Sequence, residues 1–167
     1  VYWSVVGESA LAEAEVEYRQ KKSYAIDVCY DIVNQEDRKR CAAAFGCAGR
    51  IGAVSVLIWT TTPWSLPSSQ AVTVGKSLEY TLVQCYLNGG QVRLICASAL
   101  LTSVLQRLNV AHHSELGHCS GAALEGLVLK HPFYDLDLPI LLGDHVTDDS
   151  GTGCVHTAPD HGLDDYI

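Results

Sequence analysis

The sequence predicts a mainly β domain whose short strands form a closed or partly closed barrel with helices packed outside it. Three observations lead to this prediction. Many short runs are rich in β-branched and aromatic residues and end at Gly or Pro. Helical spacing of apolar residues is confined to a few short segments. The regular strand–helix–strand alternation of a doubly wound parallel sheet is missing.

The first half of the chain contains three predicted strands and two predicted helices. Ala10–Tyr18 mixes strong helix formers with an alternating pattern, which favours a short helix that turns into a strand. Ser23–Val33 is rich in Tyr, Ile and Val and predicts a strand. Gln35–Phe45 predicts a helix, with Gly46 as its C-cap and a glycine-rich loop after it. Ala53–Thr62 has the strongest strand pattern.

The second half holds a series of short strands and one helix. Asn88-Gly89-Gly90, between two β-rich runs, is typical of a hairpin turn. Ser98–Leu108 has apolar residues at helical spacing and predicts an amphipathic helix packed on the sheet. After a turn at Pro63–Ser69, the predicted strands are Gln70–Val74, Leu78–Leu87, Gln91–Ile95, Val110–Cys119, Val128–His131, Leu138–Leu142 and Gly153–Thr157.

Size and composition fit a single domain over residues 1–167, of which 48% are hydrophobic and 18% charged. This apolar content excludes a disordered chain. No run approaches the ~18 apolar residues of a membrane helix, so we expect no membrane association. The chain has no Met and no leader-like start, so we expect a piece of a longer protein, with residues 1–20 as a connecting strand or linker.

The net charge of −8 argues against a free-standing nucleic-acid-binding protein. It leaves open a module that holds one nucleotide end while another part of the protein contacts the phosphates. The seven cysteines include no CxxC pair, and we expect free thiols in a reducing compartment. Cys29, Cys85 and Cys96 lie in strand-like runs and are predicted to be small buried hydrophobic residues.

Three consecutive hydroxyl residues, Thr60, Thr61 and Thr62, end the strongest strand and precede Pro63. On a strand, Thr60 and Thr62 face one side and Thr61 the other. Because a residue before Pro is pushed towards extended geometry, these hydroxyls are expected to leave the ladder and meet a ligand. The alternative is that they are ordinary strand and turn residues.

A second cluster near the end of the chain contains His156, His161, Asp160, Asp164 and Asp165. Gly151 and Gly153 precede it and allow a ligand to approach the backbone closely. His and Asp are metal ligands, but their spacing matches no metallohydrolase pattern such as H-E-x-x-H. A helix start capped by Asp160, with surface carboxylates, is the structural alternative. Cys154 beside His156 shows no sign of activation as a nucleophile.

Together these segments resemble the editing domain that is inserted into isoleucyl-tRNA synthetase, a class I aminoacyl-tRNA synthetase. The resemblance implies a β-barrel-like editing domain with peripheral α-helices. The valyl and leucyl enzymes share this architecture, but WTTTPW and GTGCVHTAPDHGLDDY are most similar to the isoleucyl enzyme. The matching segments are Val1–Trp3, Ala10–Tyr18, Leu57–Val72 and Gly143–Tyr166.

The resemblance implies hydrolytic proofreading. Isoleucine and valine differ by one methylene, worth only ~1–3 kcal/mol in a pocket, a limit for which isoleucyl-tRNA synthetase is the standard worked example. A second site then hydrolyses valyl-tRNA(Ile), and in this interpretation also valyl-adenylate, but excludes isoleucine by size. The chain has no HIGH or KMSKS signature. We therefore expect a deacylase within an isoleucine–tRNA ligase and no amino-acid activation in this segment.

Residue roles follow from the same resemblance. Asp165 matches the aspartate that holds the α-ammonium of the misattached amino acid. Thr60, Thr61 and Thr62 match the strand that orders the ester, the ribose and the water. His156 and Trp64 match pocket residues, with His156 as the wall that excludes isoleucine. Ser69 replaces a family Asn, which changes the expected contacts with the tRNA end.

The expected partners are the aminoacylated 3′ end of isoleucine tRNA, its valine moiety and the remaining synthetase domains in cis. We expect a cytoplasmic monomer without cofactor or metal. Two alternatives stay open. One is a module that binds the 3′ end with weak or no hydrolysis in isolation. The other is a metal-dependent hydrolase that uses His156, His161 and Asp164.

Overall fold

The computed structural model describes residues 2–20, 22–47 and 52–159. It confirms a mainly β fold with two α-helices, α1 (Gln35–Ala44) and α2 (Leu101–Arg107). The strands of the described part are β1 (Trp3–Ser4), β2 (Ser9–Ala10), β3 (Ile26–Asp31), β4 (Ser55–Thr60), β5 (Ala71–Val74), β6 (Glu79–Leu87), β7 (Gly90–Ala97), β8 (His113–Ser120), β9 (Val128–Lys130), β10 (Asp137–Leu142) and β11 (Cys154–Thr157).

Two sheets make up the body of the domain. The first has the strand order β3-β4-β7-β6-β8 and the second the order β11-β5-β10-β9, while β1 and β2 form a separate short hairpin. β4–β7 and β5–β10 pair in parallel. A single β-bridge between Ile32 and Leu129 joins the edges of the two large sheets. Within the described residues, the strands therefore form two open sheets and no closed barrel.

One hydrophobic core serves both large sheets. Buried residues of the first sheet, such as Val56 and Leu82, belong to the same cluster as Val72 and Ile140 of the second. Helix α2 buries Leu101, Val104 and Leu105, which are three and four residues apart, so the predicted amphipathic helix is confirmed. It follows a 3₁₀ turn at Ser98–Leu100.

The predictions of helix α1 and of the hairpin turn between β6 and β7 are also confirmed. Asn34 accepts a hydrogen bond from the Asp37 amide (2.7 Å) at the start of α1. At its end, the amides of Gly46 and Cys47 donate to Ala43 O and Ala42 O, which is a Schellman motif. Asn88 and Gly89 have φ values of 51° and 80°, as a two-residue hairpin turn requires.

Two predictions for the N-terminal part of the described chain are wrong. Of Ala10–Tyr18, only Ala10 lies in a strand (β2), Glu13–Glu15 form a short 3₁₀ turn, and Val16–Tyr18 pair with none of the described strands. Cys29 is exposed rather than buried. Along β3 the side chains alternate, and the inward position belongs to the neighbouring Tyr30, which is fully buried. Among the described residues, no helix is long and apolar enough to cross a membrane.

Candidate functional site

The threonine segment places two hydroxyls side by side at the end of β4. Thr60 is buried, Thr61 exposed and Thr62 half-buried, as the strand alternation predicts. Thr60 Oγ1 lies 3.2 Å from Thr62 Oγ1 and accepts a hydrogen bond from the Thr62 amide (3.0 Å). Thr62 is not extended, however: its ψ is 63° because the chain turns there into a 3₁₀ helix, Pro63–Ser68.

This 3₁₀ helix places Ser65 in contact with Thr62. The Ser65 amide donates to Thr62 O (3.0 Å). Its hydroxyl donates to the same carbonyl (2.8 Å) and lies 3.5 Å from Thr62 Oγ1. Ser65 is buried. A turn that reads as a simple connection in the sequence therefore adds a further oriented hydroxyl to the threonine pair.

Strand β11 brings His156 to the same place from the other end of the chain. β11 pairs with β5, where His156 lies opposite Val72. The buried imidazole lies between two serines: Nε2 is 3.2 Å from Ser65 Oγ and Nδ1 is 3.1 Å from Ser69 Oγ. Ser65 therefore lies between the threonine pair and His156, 3.5 Å from Thr62 Oγ1 and 3.2 Å from His156 Nε2.

The contacts of Ser65 determine which way its hydrogen bond with His156 points. The Ser65 proton is used on Thr62 O, so Ser65 Oγ accepts from His156 Nε2–H. Nδ1 contacts the Ser69 hydroxyl, which lies 3.1 Å from the Tyr30 hydroxyl. Burial raises the pKa of Tyr30, which keeps this phenol protonated and able to donate. The described contacts therefore give each ring nitrogen of His156 a buried hydroxyl partner.

The other predicted site residues lie as follows. Ser69 is fully buried and contacts His156 Nδ1. The Trp64 side chain is 68% exposed at the surface next to Ser65. Gly153 has φ +69°, and a Cβ there would come within 2.4 Å of the Ala97 Cβ, so this backbone packs closely against β7. Asp165 lies outside the described residues, and so do Asp160, His161 and Asp164.

A cavity of about 200 Å³ lies beside the glycine-containing loop before β11. Its walls include Trp59, His145, Thr147, Ser150 and Val155. Cys154 and Val155 both line it, whereas the next residue of β11, His156, does not.

No metal cluster is found in the described part of the chain, and the Cys154 thiol is not activated. No group of three or more His, Cys, Asp or Glu side chains there is placed to hold a metal ion. Complete burial raises the pKa of Cys154 well above its ordinary value, so this thiol stays protonated. The metal hypothesis names His161 and Asp164, which lie outside the described residues, and it stays a hypothesis.

Sequence reasoning missed Ser65 and Tyr30. Ser65 stands inside the WTTTPWS segment, where its nearness to the threonines was a usable signal. Tyr30 reads as a core residue of β3, and only the fold shows that its hydroxyl reaches Ser69.

Known proteins with similar sequences identify the family of this chain. No family model matches the chain. The isoleucine–tRNA ligase of Saccharophagus degradans is 56% identical over 167 residues, 100% of this chain. That of Hahella chejuensis is 54% identical over 166 residues, 99% of this chain. The chain belongs to the isoleucyl-tRNA synthetase family. It spans 17% of the length of each of these two relatives.

Solved structures show the fold that this synthetase segment adopts. GlLeuRS-CP1 superposes with a TM-score of 0.71 at 18% identity, covering 86% of this chain and 57% of that one. The editing domain of the cytosolic leucyl-tRNA synthetase of P. falciparum gives 0.64 at 14% identity, covering 80% and 60%. The isoleucyl-tRNA synthetase segment thus has the fold of the editing domains of class I synthetases.

Proposed function

We propose that this chain is the proofreading domain of an isoleucyl-tRNA synthetase and that it hydrolyses the ester between valine and isoleucine tRNA. The observation that carries the proposal is the hydrogen-bonded series from Thr60 through Thr62 and Ser65 to His156. Ser65 and His156 are 91 residues apart in the chain. The two motifs with the strongest family resemblance therefore supply one site.

Hydrolysis at this site needs a positioned water and no protein nucleophile. An aminoacyl ester is already an activated acyl group, so orienting it against water provides much of the rate. In the proposal, the threonine hydroxyls order the ester, the terminal ribose and the water. Asp165 binds the α-ammonium by a charge-assisted hydrogen bond. The protonated, buried Cys154 is unsuited to covalent catalysis.

Selectivity in the proposal comes from His156. Its imidazole is held on both nitrogens by Ser65 and Ser69, so it forms a fixed wall rather than a mobile side chain. A fixed wall rejects an extra methyl group by overlap, because close-packed groups do not yield without cost. Valine then enters and isoleucine does not.

The proposed partners are the aminoacylated 3′ end of isoleucine tRNA and the remaining synthetase domains in cis. Valyl-adenylate is proposed as a second substrate. We further propose a cytoplasmic monomer that needs no cofactor for hydrolysis.

The test uses the full-length synthetase that carries this chain, with preformed valyl-tRNA(Ile) as substrate. We expect the wild-type enzyme to deacylate it and Asp165→Ala to be about 100-fold slower, because the ammonium loses its charged partner. An unchanged rate for Asp165→Ala would contradict the proposal. A wild-type enzyme that binds the 3′ end without hydrolysis would favour the binding module. Loss of activity with a chelator would favour the metal-dependent alternative.

A further inference from the structure

We infer that His131 is a positioning residue for the site: its imidazole holds the Pro63–Ser68 helix through the Leu66 carbonyl and so sets where Ser65 meets His156. His131 belongs to the loop after β9, and neither motif of the sequence includes it. The effect on activity rests on the proposed function, whereas the effect on the helix does not.

The contacts of His131 fix its tautomer as well as its place. Nε2 lies 3.0 Å from Leu66 O, and Nδ1 lies 3.1 Å from the Phe133 amide and 3.2 Å from the Tyr134 amide. Amides only donate, so Nδ1 accepts and the ring proton is on Nε2. The ring is 3% exposed. His131 therefore donates a buried, directed hydrogen bond to a carbonyl 65 residues away.

The position of Leu66 explains why this bond matters. At the start of the helix, the Ser65 amide donates to Thr62 O. Just beyond its end, the Gln70 amide donates to Thr157 O (2.8 Å). His131 holds the middle, at the residue next to Ser65. A shift of Leu66 would move Ser65 Oγ away from His156 Nε2, which is 3.2 Å from it.

His131 also supports the second partner of His156. Its ring meets the Tyr30 ring edge-on, with centroids 6.4 Å apart and an interplanar angle of 75°. The Tyr30 hydroxyl lies 3.1 Å from Ser69 Oγ, and Ser69 Oγ lies 3.1 Å from His156 Nδ1. One buried residue thus contacts both branches of the network that orients His156.

Two substitutions of His131 test the role of its Nε2–H donor separately from that of the rest of the ring. The amide nitrogen of Gln reaches about as far as Nε2 and can keep the donor, whereas Asn is shorter and loses it. In the full-length synthetase, we expect His131→Asn to lower the ratio of valyl-tRNA to isoleucyl-tRNA deacylation rates about tenfold, in kcat more than in KM. His131→Gln should stay near wild type. His113→Asn, at an exposed residue of β8, is the matched control.

Hydrogen exchange gives a readout that does not depend on activity. We expect peptides over residues 63–70 to exchange faster in His131→Asn, and at the wild-type rate in His131→Gln and His113→Asn. If the rate ratio and the exchange of His131→Asn both equal those of the wild type, the inference is overturned while the proposed function stands. If the wild type does not deacylate valyl-tRNA(Ile), the proposed function fails and the exchange data alone decide the inference.

Discussion

Ser65 links the two motifs because a hydroxyl can donate and accept at once. It donates to Thr62 O at 2.8 Å and accepts from His156 Nε2 at 3.2 Å. Alanine at this position would remove both bonds. Losing a buried hydrogen bond costs about 0.5–1.5 kcal/mol, so the imidazole is expected to move.

We predict that Ser65→Ala loosens the selectivity of the site more than it slows the reaction. Hydrolysis of isoleucyl-tRNA(Ile) by the full-length enzyme should rise, while valyl-tRNA(Ile) deacylation falls by less than about tenfold. Deacylation rates on both charged tRNAs provide the measurement. Ser68→Ala, at an exposed serine of the same 3₁₀ helix, is the control. Equal selectivity of the two variants would contradict the role of Ser65.

Cysteine reactivity provides a second prediction for single residues. Cys154 is completely buried and its pKa is well above the ordinary value, so its thiolate is absent across the physiological range. Cys29 is exposed, but desolvation by its neighbours, with Asp31 and Asp27 adding, raises its pKa to about 11. Below pH 11 its thiolate fraction increases about tenfold per pH unit.

Alkylation with iodoacetamide followed by peptide mass spectrometry measures this difference. We expect slow labelling of Cys29 at pH 7, faster labelling as the pH rises, and no labelling of Cys154 until the protein unfolds. Deacylation should survive complete labelling of Cys29. Rapid labelling of native Cys154 near neutral pH would contradict the absence of a nucleophilic thiol.

At the scale of single residues, the family resemblance named candidate site groups but not the contacts that hold them. The three threonines and His156 stand in the motifs that carry this resemblance. Their supports are Tyr30, Ser69 and His131, which come from separate elements. Such contacts depend on which strands become neighbours, and no local pattern encodes that.

At the scale of elements, the Asp37 carboxylate in the first turn of α1 is hydrogen-bonded to the second sheet. Asp37 is 5% exposed. Its oxygens accept from Asn34 Nδ2 (3.0 Å), from Arg40 (2.8 Å) and from the Val128 amide (3.2 Å) at the start of β9. This contact fixes the helix against the sheet that also contains β11 and His156.

We predict that Asp37→Ala lowers the local free energy of opening of α1 and β9 by about 2 kcal/mol, since the Val128 amide loses its acceptor. Hydrogen exchange of the Val128 amide and of the first turn of α1 measures the change in the full-length enzyme. Glu36→Ala, at the neighbouring exposed carboxylate, should change exchange by less than about 0.5 kcal/mol. Equal effects of the two substitutions would contradict the tie between α1 and β9.

Elements with local signals were predictable and those without were not. The hairpin turn at Asn88-Gly89 and the caps of α1 are satisfied by residues within a few positions, so the sequence determines them directly. Ala10–Tyr18 has mixed propensity, and its end, Val16–Tyr18, pairs with none of the described strands. Thr62 departs from the extended geometry expected before Pro63 because the 3₁₀ helix begins beside it.

At the scale of the whole molecule, strand order determines the site. β5 lies between β11 and β10 in the second sheet, and β4 lies between β3 and β7 in the first. This order places His156 at the end of β4, where Thr60 and Thr62 lie. The prediction of short strands was sound, but which strands pair is a non-local property, and the described strands form two open sheets rather than a closed barrel.

The side chain of Arg107 also connects α2 to the loop before β11. Arg107 makes two hydrogen bonds to the Asp27 carboxylate (2.8 and 2.6 Å) and lies 3.4 Å from Gly151 O. Its guanidinium is also 5.9 Å from the centroid of the Trp59 ring. Elements from both halves of the chain therefore hold the segment that leads into His156.

The most direct test of the account is the rate at which a His156→Ala full-length synthetase hydrolyses correctly charged isoleucyl-tRNA(Ile). If His156, held between Ser65 and Ser69, is the wall that excludes isoleucine, this rate should increase about 100-fold over wild type, towards the rate on valyl-tRNA(Ile). His113→Ala, at the exposed histidine of β8, should leave isoleucyl-tRNA(Ile) protected. Continued protection of isoleucyl-tRNA(Ile) by His156→Ala would contradict the account.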